Sequence, residues 1–98
     1  MGQIIWSDDA LEDVDRIVSH FALFSARFAD DLYTSYLERV RLLASLPMMG
    51  RIVPEFNVNH IRELVDIRSR IVYEVEESGR IVILNVFLTS QRLDPDLL

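Results

Sequence analysis

The sequence predicts an α+β fold in which an antiparallel helical hairpin packs on one face of a mostly antiparallel sheet of three to four strands. Three observations lead there. Two stretches in the first half repeat apolar residues at three- and four-residue spacing, three stretches in the second half alternate apolar with polar residues, and a short β-branched run precedes them all. The order of elements is therefore β, α, α, β, β, β, in which helices gather on one side of a sheet built largely of hairpins.

Each element has a local reason. "QIIW", residues 3–6, is apolar and β-branched and is bounded by "SDD", as a short strand would be. Ser7 can cap a helix whose first turn carries Asp8 and Asp9, where negative charge meets the positive end of the helix dipole. Leu11, Val14, Ile17, Val18 and Phe21 then form one apolar face, with Glu12, Asp13, Asp15, Arg16 and Ser19 between them. Ser25 is a second cap, followed by Phe28, Ala29, Leu32, Tyr36, Val40, Leu43 and Ala44 in a helical pattern that runs to about Leu46. Tyr33 and Tyr36 are read as packing residues. In "LPMMGRIVPE", residues 46–55, Pro47 stops the helix, Gly50 allows a positive φ at the turn, and Pro54 confines the extended segment around it to an edge or loop. Residues 60–65, 70–75 and 80–87 are the remaining strands, and "EESG" has the length and the glycine of a hairpin turn between the last two.

Composition limits the function. Ninety-eight residues, 50% of them hydrophobic, suffice for one core, so residues 1–98 are read as a single domain. The lack of cysteine removes disulfides and thiolate metal sites and leaves the cytoplasm as the default location. The longest apolar stretch, residues 81–88, is far too short to span a bilayer, and Trp6 spoils an N-terminal acylation signal. All ten basic residues are arginine. Up to Glu38 there are eight acids against two arginines, and beyond it eight against eight, so the net charge of -6 sits in the N-terminal part. A field of that sign repels phosphate backbones, and no direct nucleic-acid binding is expected.

The chemical inventory is correspondingly short. His20 and His60 lie forty residues apart with no metal-ligand spacing, no serine sits in a nucleophile elbow, and there is no glycine-rich phosphate loop. No cofactor or metal is expected. Arginines on the sheet remain: Arg62, Arg70 and Arg80, with Arg51 before them and Arg92 after. Their planar donor forks suit carboxylate or phosphate. Ordinary ion pairs, Arg62 with its neighbour Glu63 and Arg70 with the region of Asp66, account for them equally well. Arg80 reads as a turn residue, and Glu74, Glu76 and Glu77 as a solvated strand end.

Read together, these residues resemble the RelE/ParE superfamily of bacterial type II toxins, and the ParE branch in particular. The family pattern runs from a Trp near the end of the first strand through P-x-x-G-R-x-V-P-E, an R-E dipeptide and Y-R-I-x-Y-x-V to a last strand ending in His and a basic pair. Trp6, Ala10, Pro47, Gly50, Arg51, Val53, Pro54, Glu55, Arg62, Glu63, Arg70, Ile71, Tyr73, Val75 and Arg92 follow it. Ser69, Leu88 and Gln91 depart from it, standing where the pattern has Tyr, His and one of the basic pair.

The resemblance implies a non-enzymatic toxin that binds and inhibits DNA gyrase and is neutralised by a cognate antitoxin in a hetero-oligomer. Arg51, Arg62, Arg70 and Arg92 are its expected target-binding residues, with Arg62, Arg70 and Arg92 forming one patch on the open face of the sheet. Phe21, Phe24, Phe87 and Leu88, with Leu97 and Leu98, are expected to edge an apolar groove for the antitoxin. Two alternatives stand beside this reading. One is a RelE-like ribosome-dependent endoribonuclease using Arg62, Arg70 and Arg92, in which His60 is the one residue that could carry a proton. The other is a toxin-derived domain that has lost toxicity and keeps its antitoxin interface.

Overall fold

The computed structural model describes residues 2–89. The elements are β1 (Ile4–Trp6), α1 (Asp8–Ala22), α2 (Ala26–Arg41), β2 (Arg51–Ile52), β3 (Ile61–Val65), β4 (Ser69–Val75) and β5 (Ile81–Leu88). Both serine caps are in place. The Ser7 hydroxyl accepts from the Ala10 N–H at 3.0 Å, and Ser25 accepts from Phe28 at 3.1 Å. The α-helical pattern was expected to reach about Leu46, but α2 ends at Arg41 and tightens into a 3-10 turn over Leu42–Ala44. A proline ring clashes with the carbonyl four residues before it, here Leu43, so the last turn rearranges ahead of Pro47.

The sheet is five-stranded with order β1-β5-β4-β3-β2. It exceeds the expected count because Arg51 and Ile52 make a two-residue edge strand opposite Glu63 and Arg62. It is also mixed: β1 runs parallel to β5, Ile4 lying opposite Ile81 and Trp6 opposite Ile83, while β3, β4 and β5 form an antiparallel meander. The β4–β5 turn closes with Glu76 N–H to Arg80 C=O at 2.8 Å and Gly79 at φ 89°. Across it the Arg80 guanidinium binds the Glu76 carboxylate, whose pKa is lowered by that hydrogen bond.

Ala10, Val14 and Ile17 of α1 and Leu32, Tyr36 and Val40 of α2 pack on Leu64, Ile71, Tyr73, Ile81, Ile83 and Val86, and this layer is the core. Its polar members are paired. Tyr36 and the fully buried Ser69 share a hydrogen bond of 2.6 Å, so Ser69 links α2 to the start of β4. Asp13, read from the sequence as a solvent-side residue, is buried instead. The cause is topological: β1 covers β5 only as far as Ile83, and beyond that the outer edge of β5 needs other partners. Ser7 supplies a donor to Leu84 C=O at 3.0 Å, and Asp13 accepts from Val86 N–H at 2.9 Å and from the Asn85 amide at 3.3 Å. Leu84 itself has no residue opposite it, since Ile83 pairs with Tyr73 and Asn85 with Val72. Asp13→Ala leaves a buried N–H unpaired and is expected to cost about 1–3 kcal/mol in urea denaturation, with Asp13→Asn, which keeps an acceptor oxygen, costing less.

Candidate functional site

Two arginine-centred arrangements lie on opposite faces of the sheet. Neighbouring residues of a strand point to opposite faces, and directly paired residues share one. Arg62 pairs with the buried Tyr73 and therefore shares the helix-side face with Leu64. Arg51 pairs with Glu63, and Arg70 lies diagonally across from Glu63, so these three share the open face.

On the helix side, Arg62 is engaged by three backbone carbonyls and one side-chain amide. Its Nε donates to Asn59 C=O at 3.0 Å, one terminal nitrogen to Asn59 Oδ1 at 2.7 Å, and the other to Gly50 C=O at 2.8 Å and Met48 C=O at 3.4 Å. Beside it the Tyr73 hydroxyl donates to Pro47 C=O at 2.8 Å and accepts from Gly50 N–H at 2.9 Å. Burial raises the pKa of Tyr73, as it does that of Tyr36. The "PMMG" stop is thereby fastened to β3 and β4. Gly50 serves this arrangement in a way the sequence did not suggest. Its φ is not positive; instead a Cβ there would lie 2.6 Å from both Glu63 C=O and the Tyr73 hydroxyl.

The open face carries a four-membered ion network. The Glu63 side chain is completely buried and accepts from Arg51 Nε at 2.7 Å and from Arg70 Nε at 2.6 Å. The two terminal nitrogens of Arg70 grip Glu55 at 3.1 and 3.2 Å. Hydrogen bonding from Arg70 lowers the pKa of Glu55. Burial opposes the charge on Arg70, but hydrogen bonds to Glu55 and Glu63 outweigh it and raise its pKa. Asp66, the expected partner of Arg70, binds Arg39 at 2.8 Å and caps its own turn through the Arg68 and Ser69 N–H groups.

These shifts fix the sign of the pH dependence. Glu55 has its pKa lowered by folding, so its contribution is present above about pH 4.5 and is lost as pH falls through the lowered value. Tyr36 and Tyr73 have theirs raised, so their contribution is present below about pH 10 and is lost above it. Melting temperature should accordingly be flat near neutrality and fall on both sides. Glu55→Gln should reduce the acid limb only slightly, as a partly exposed ion pair would, and Tyr36→Phe should reduce the alkaline one.

The structure thus brings Arg51 and Arg70 together and sets Arg62 apart, which corrects the expectation of a patch containing Arg62 on the open face. Arg92, Leu97 and Leu98 lie outside the described residues. His20 stands edge-on to Phe21 and Phe24 at the tip of the helical hairpin, and His60 lies 3.9 Å from Glu74. Among the described residues no group of His, Asp or Glu is placed to hold a metal ion. No described helix is long and apolar enough to cross a membrane.

The four apolar candidates are divided. Phe21 and Phe24 are at the hairpin tip, where Phe21 packs on Phe28, Arg68 stacks over Phe28 at 4.7 Å, and Phe24 is 76% exposed. Leu88 packs at the margin of the core together with Phe21 and Phe28. Phe87 pairs with Arg70 and so belongs to the open face. A groove that sequence reasoning missed runs between α1 and α2: about 310 Å³, lined by Trp6, Leu11, Val14, Val18, Tyr33 and Leu37, with Asp15 and Asp30 on its rim. Its signal was present in the doublets Leu32–Tyr33 and Tyr36–Leu37. Adjacent helical residues diverge by about 100°, so only one of each pair can face the core.

A chain from the chromosomal ParDE TA system of P. aeruginosa superposes with a TM-score of 0.72 at 22% sequence identity, covering 90% of this chain and 96% of that one. Residues 4–93 match the family model described as ParE toxin of type II toxin-antitoxin system, parDE, and the chain belongs to that family. No curated protein is similar enough in sequence to match.

Proposed function

We propose that this toxin acts in the cytoplasm by binding and inhibiting DNA gyrase, without catalysis of its own, and that a cognate antitoxin neutralises it by direct contact. Membership of the ParE family supports the target. The observation that carries the mechanism is the open-face network, where Arg51 and Arg70 are held rigidly by a buried carboxylate while both histidines lie elsewhere. A face of that kind presents fixed charge for recognition. RNA cleavage needs a proton acceptor and a donor beside the cation, and Glu55, the partly exposed carboxylate there, is taken up by Arg70 with its pKa lowered, which suits it poorly to either role. Arg62, committed to the Gly50 and Asn59 carbonyls and the Asn59 side chain, serves the fold in this reading and leaves Arg51 and Arg70 to meet the target.

Inducible expression followed by gyrase supercoiling and translation assays tests the proposal. Loss of supercoiling with translation intact is expected, and codon-spaced message cuts on ribosomes abolished by Arg70→Ala would overturn it. Growth unaffected by expression, with the antitoxin still bound, would mark the chain as an interface that has lost its toxicity.

For the antitoxin, the groove between α1 and α2 is the better-formed docking face. Leu11, Tyr33 and Leu37 leave apolar surface in water there, which an amphipathic segment could cover. Leu37→Asp, on a side chain already 43% exposed, should keep the melting temperature within a few degrees. Antitoxin affinity should nevertheless fall by about tenfold or more in titration calorimetry. Unchanged affinity would move the interface to the Phe21–Phe24 tip.

A further inference from the structure

We propose that Glu55 is a built-in occupant of a carboxylate-binding site made by Arg70 and Arg51, and that an acidic side chain of the protein target displaces it. The proposal rests on the reading that this face of the sheet meets the target. The two carboxylates held by Arg70 are not equivalent. Glu63 stands in the middle of a hydrogen-bonded ladder, is completely buried, and takes the Nε of both arginines at 2.6 and 2.7 Å. Removing it would strand two cations without their anchor. Glu55 comes from the connection between β2 and β3, is 25% exposed at its side chain, and reaches Arg70 at 3.1 and 3.2 Å. Rotation of that one side chain returns it to water, and partly exposed ion pairs of this kind contribute little to stability.

The consequence is a division of labour. Glu63 fixes the plane of each guanidinium through Nε, with Arg70 Nη2 also 2.6 Å from it, and Glu55 occupies the outward side of the two terminal nitrogens of Arg70. Its bidentate hold shows that this fork accepts a carboxylate in the geometry that Arg–carboxylate pairs prefer. Arg51, 60% exposed, lies alongside. Exchange of one carboxylate for another leaves the cluster with two positive and two negative groups, and the released Glu55 carries its single charge into water, where it is solvated and screened. A polyphosphate chain would instead bring several negative charges against a protein that already carries -6.

Acetate is the probe. Uniformly 15N-labelled full-length toxin and its Glu55→Ala and Glu55→Gln variants are titrated with sodium acetate at constant ionic strength, reading the Nε–H signals of Arg70 and Arg51. Both variants should show a saturable shift with an acetate dissociation constant at least about tenfold below that of the native protein. Adding Arg70→Lys to Glu55→Ala should abolish it. Equal affinity with and without Glu55, or no saturable shift in either variant, would overturn the proposal. So would inorganic phosphate binding about tenfold tighter than acetate, which would point to nucleic acid. The titration needs no target. Acetate binding together with intact gyrase activity in the supercoiling assay would refute the target while leaving the site, and inhibition without acetate binding would do the reverse.

Discussion

Gly50→Ala is expected to destabilise the protein by about 3 kcal/mol, a large effect for a single methyl group. The added Cβ would meet a strand carbonyl and the Tyr73 hydroxyl, each at 2.6 Å. Neither can yield easily. Glu63 C=O belongs to the backbone of β3, and the hydroxyl is held by Pro47 on one side and by Gly50 itself on the other. Relief of the clash therefore breaks the hydrogen bonds that fasten the helix stop to the sheet. Guanidinium or urea unfolding should show a lower midpoint with an unchanged slope. In a Tyr73→Phe background one of the three clashing atoms is gone, the ring carbon at 2.8 Å and the strand carbonyl remaining, so the second cost should be smaller than the first, a coupling visible in a double-mutant cycle. A change within about 0.5 kcal/mol, the range of an ordinary surface substitution, would show that Gly50 is not needed for close approach.

Glu63→Ala should cost about 3–5 kcal/mol, because it removes the buried partner of two arginines. The effect should be graded around the network by exposure. Arg70, whose side chain is 13% exposed, should cost more on truncation than Arg51, which is 60% exposed and should stay near or below about 1 kcal/mol. Glu63→Ala should also loosen both guanidinium groups, so any activity that uses them falls more than stability alone explains. Comparable midpoints for Glu63→Ala and Arg51→Ala would mean that Glu63 does not anchor the network. Arg62→Ala belongs in a different comparison: it frees carbonyls at both ends of the 50–59 segment, and its loss should be read first in stability.

Much of this architecture was legible in the sequence because its determinants are local. Ser7 and Ser25 cap the helices where their side chains predict, Pro47 ends the second, and Gly79 turns the last hairpin. The features that escaped were set by distant partners. The parallel pairing of β1 with β5 leaves no mark in either strand, and the burial of Asp13 comes from where β1 ends along β5. The facing of Arg62 was readable and misread. In "IREL" the alternation that places Leu64 in the core necessarily places Arg62 on the same side, so the two arginines of the motif, Arg62 and Arg70, could not share a face. Glu63 went unnoticed as an anchor because a buried carboxylate leaves the same letter in a sequence as a solvated one.

The position of β5 between β4 and β1 has a consequence for how the chain is made. Strand β1 can find its neighbour only when residues 81–83 have emerged after it, and the Ser7–Leu84 hydrogen bond spans 77 positions. Helices α1 and α2 emerge early but lack most of the surface they bury against, since Ile81, Ile83 and Val86 arrive late. Such distant closures are slow compared with helix formation. The poison is therefore assembled in one late step, and until then the nascent chain carries an unfinished sheet and no weapon.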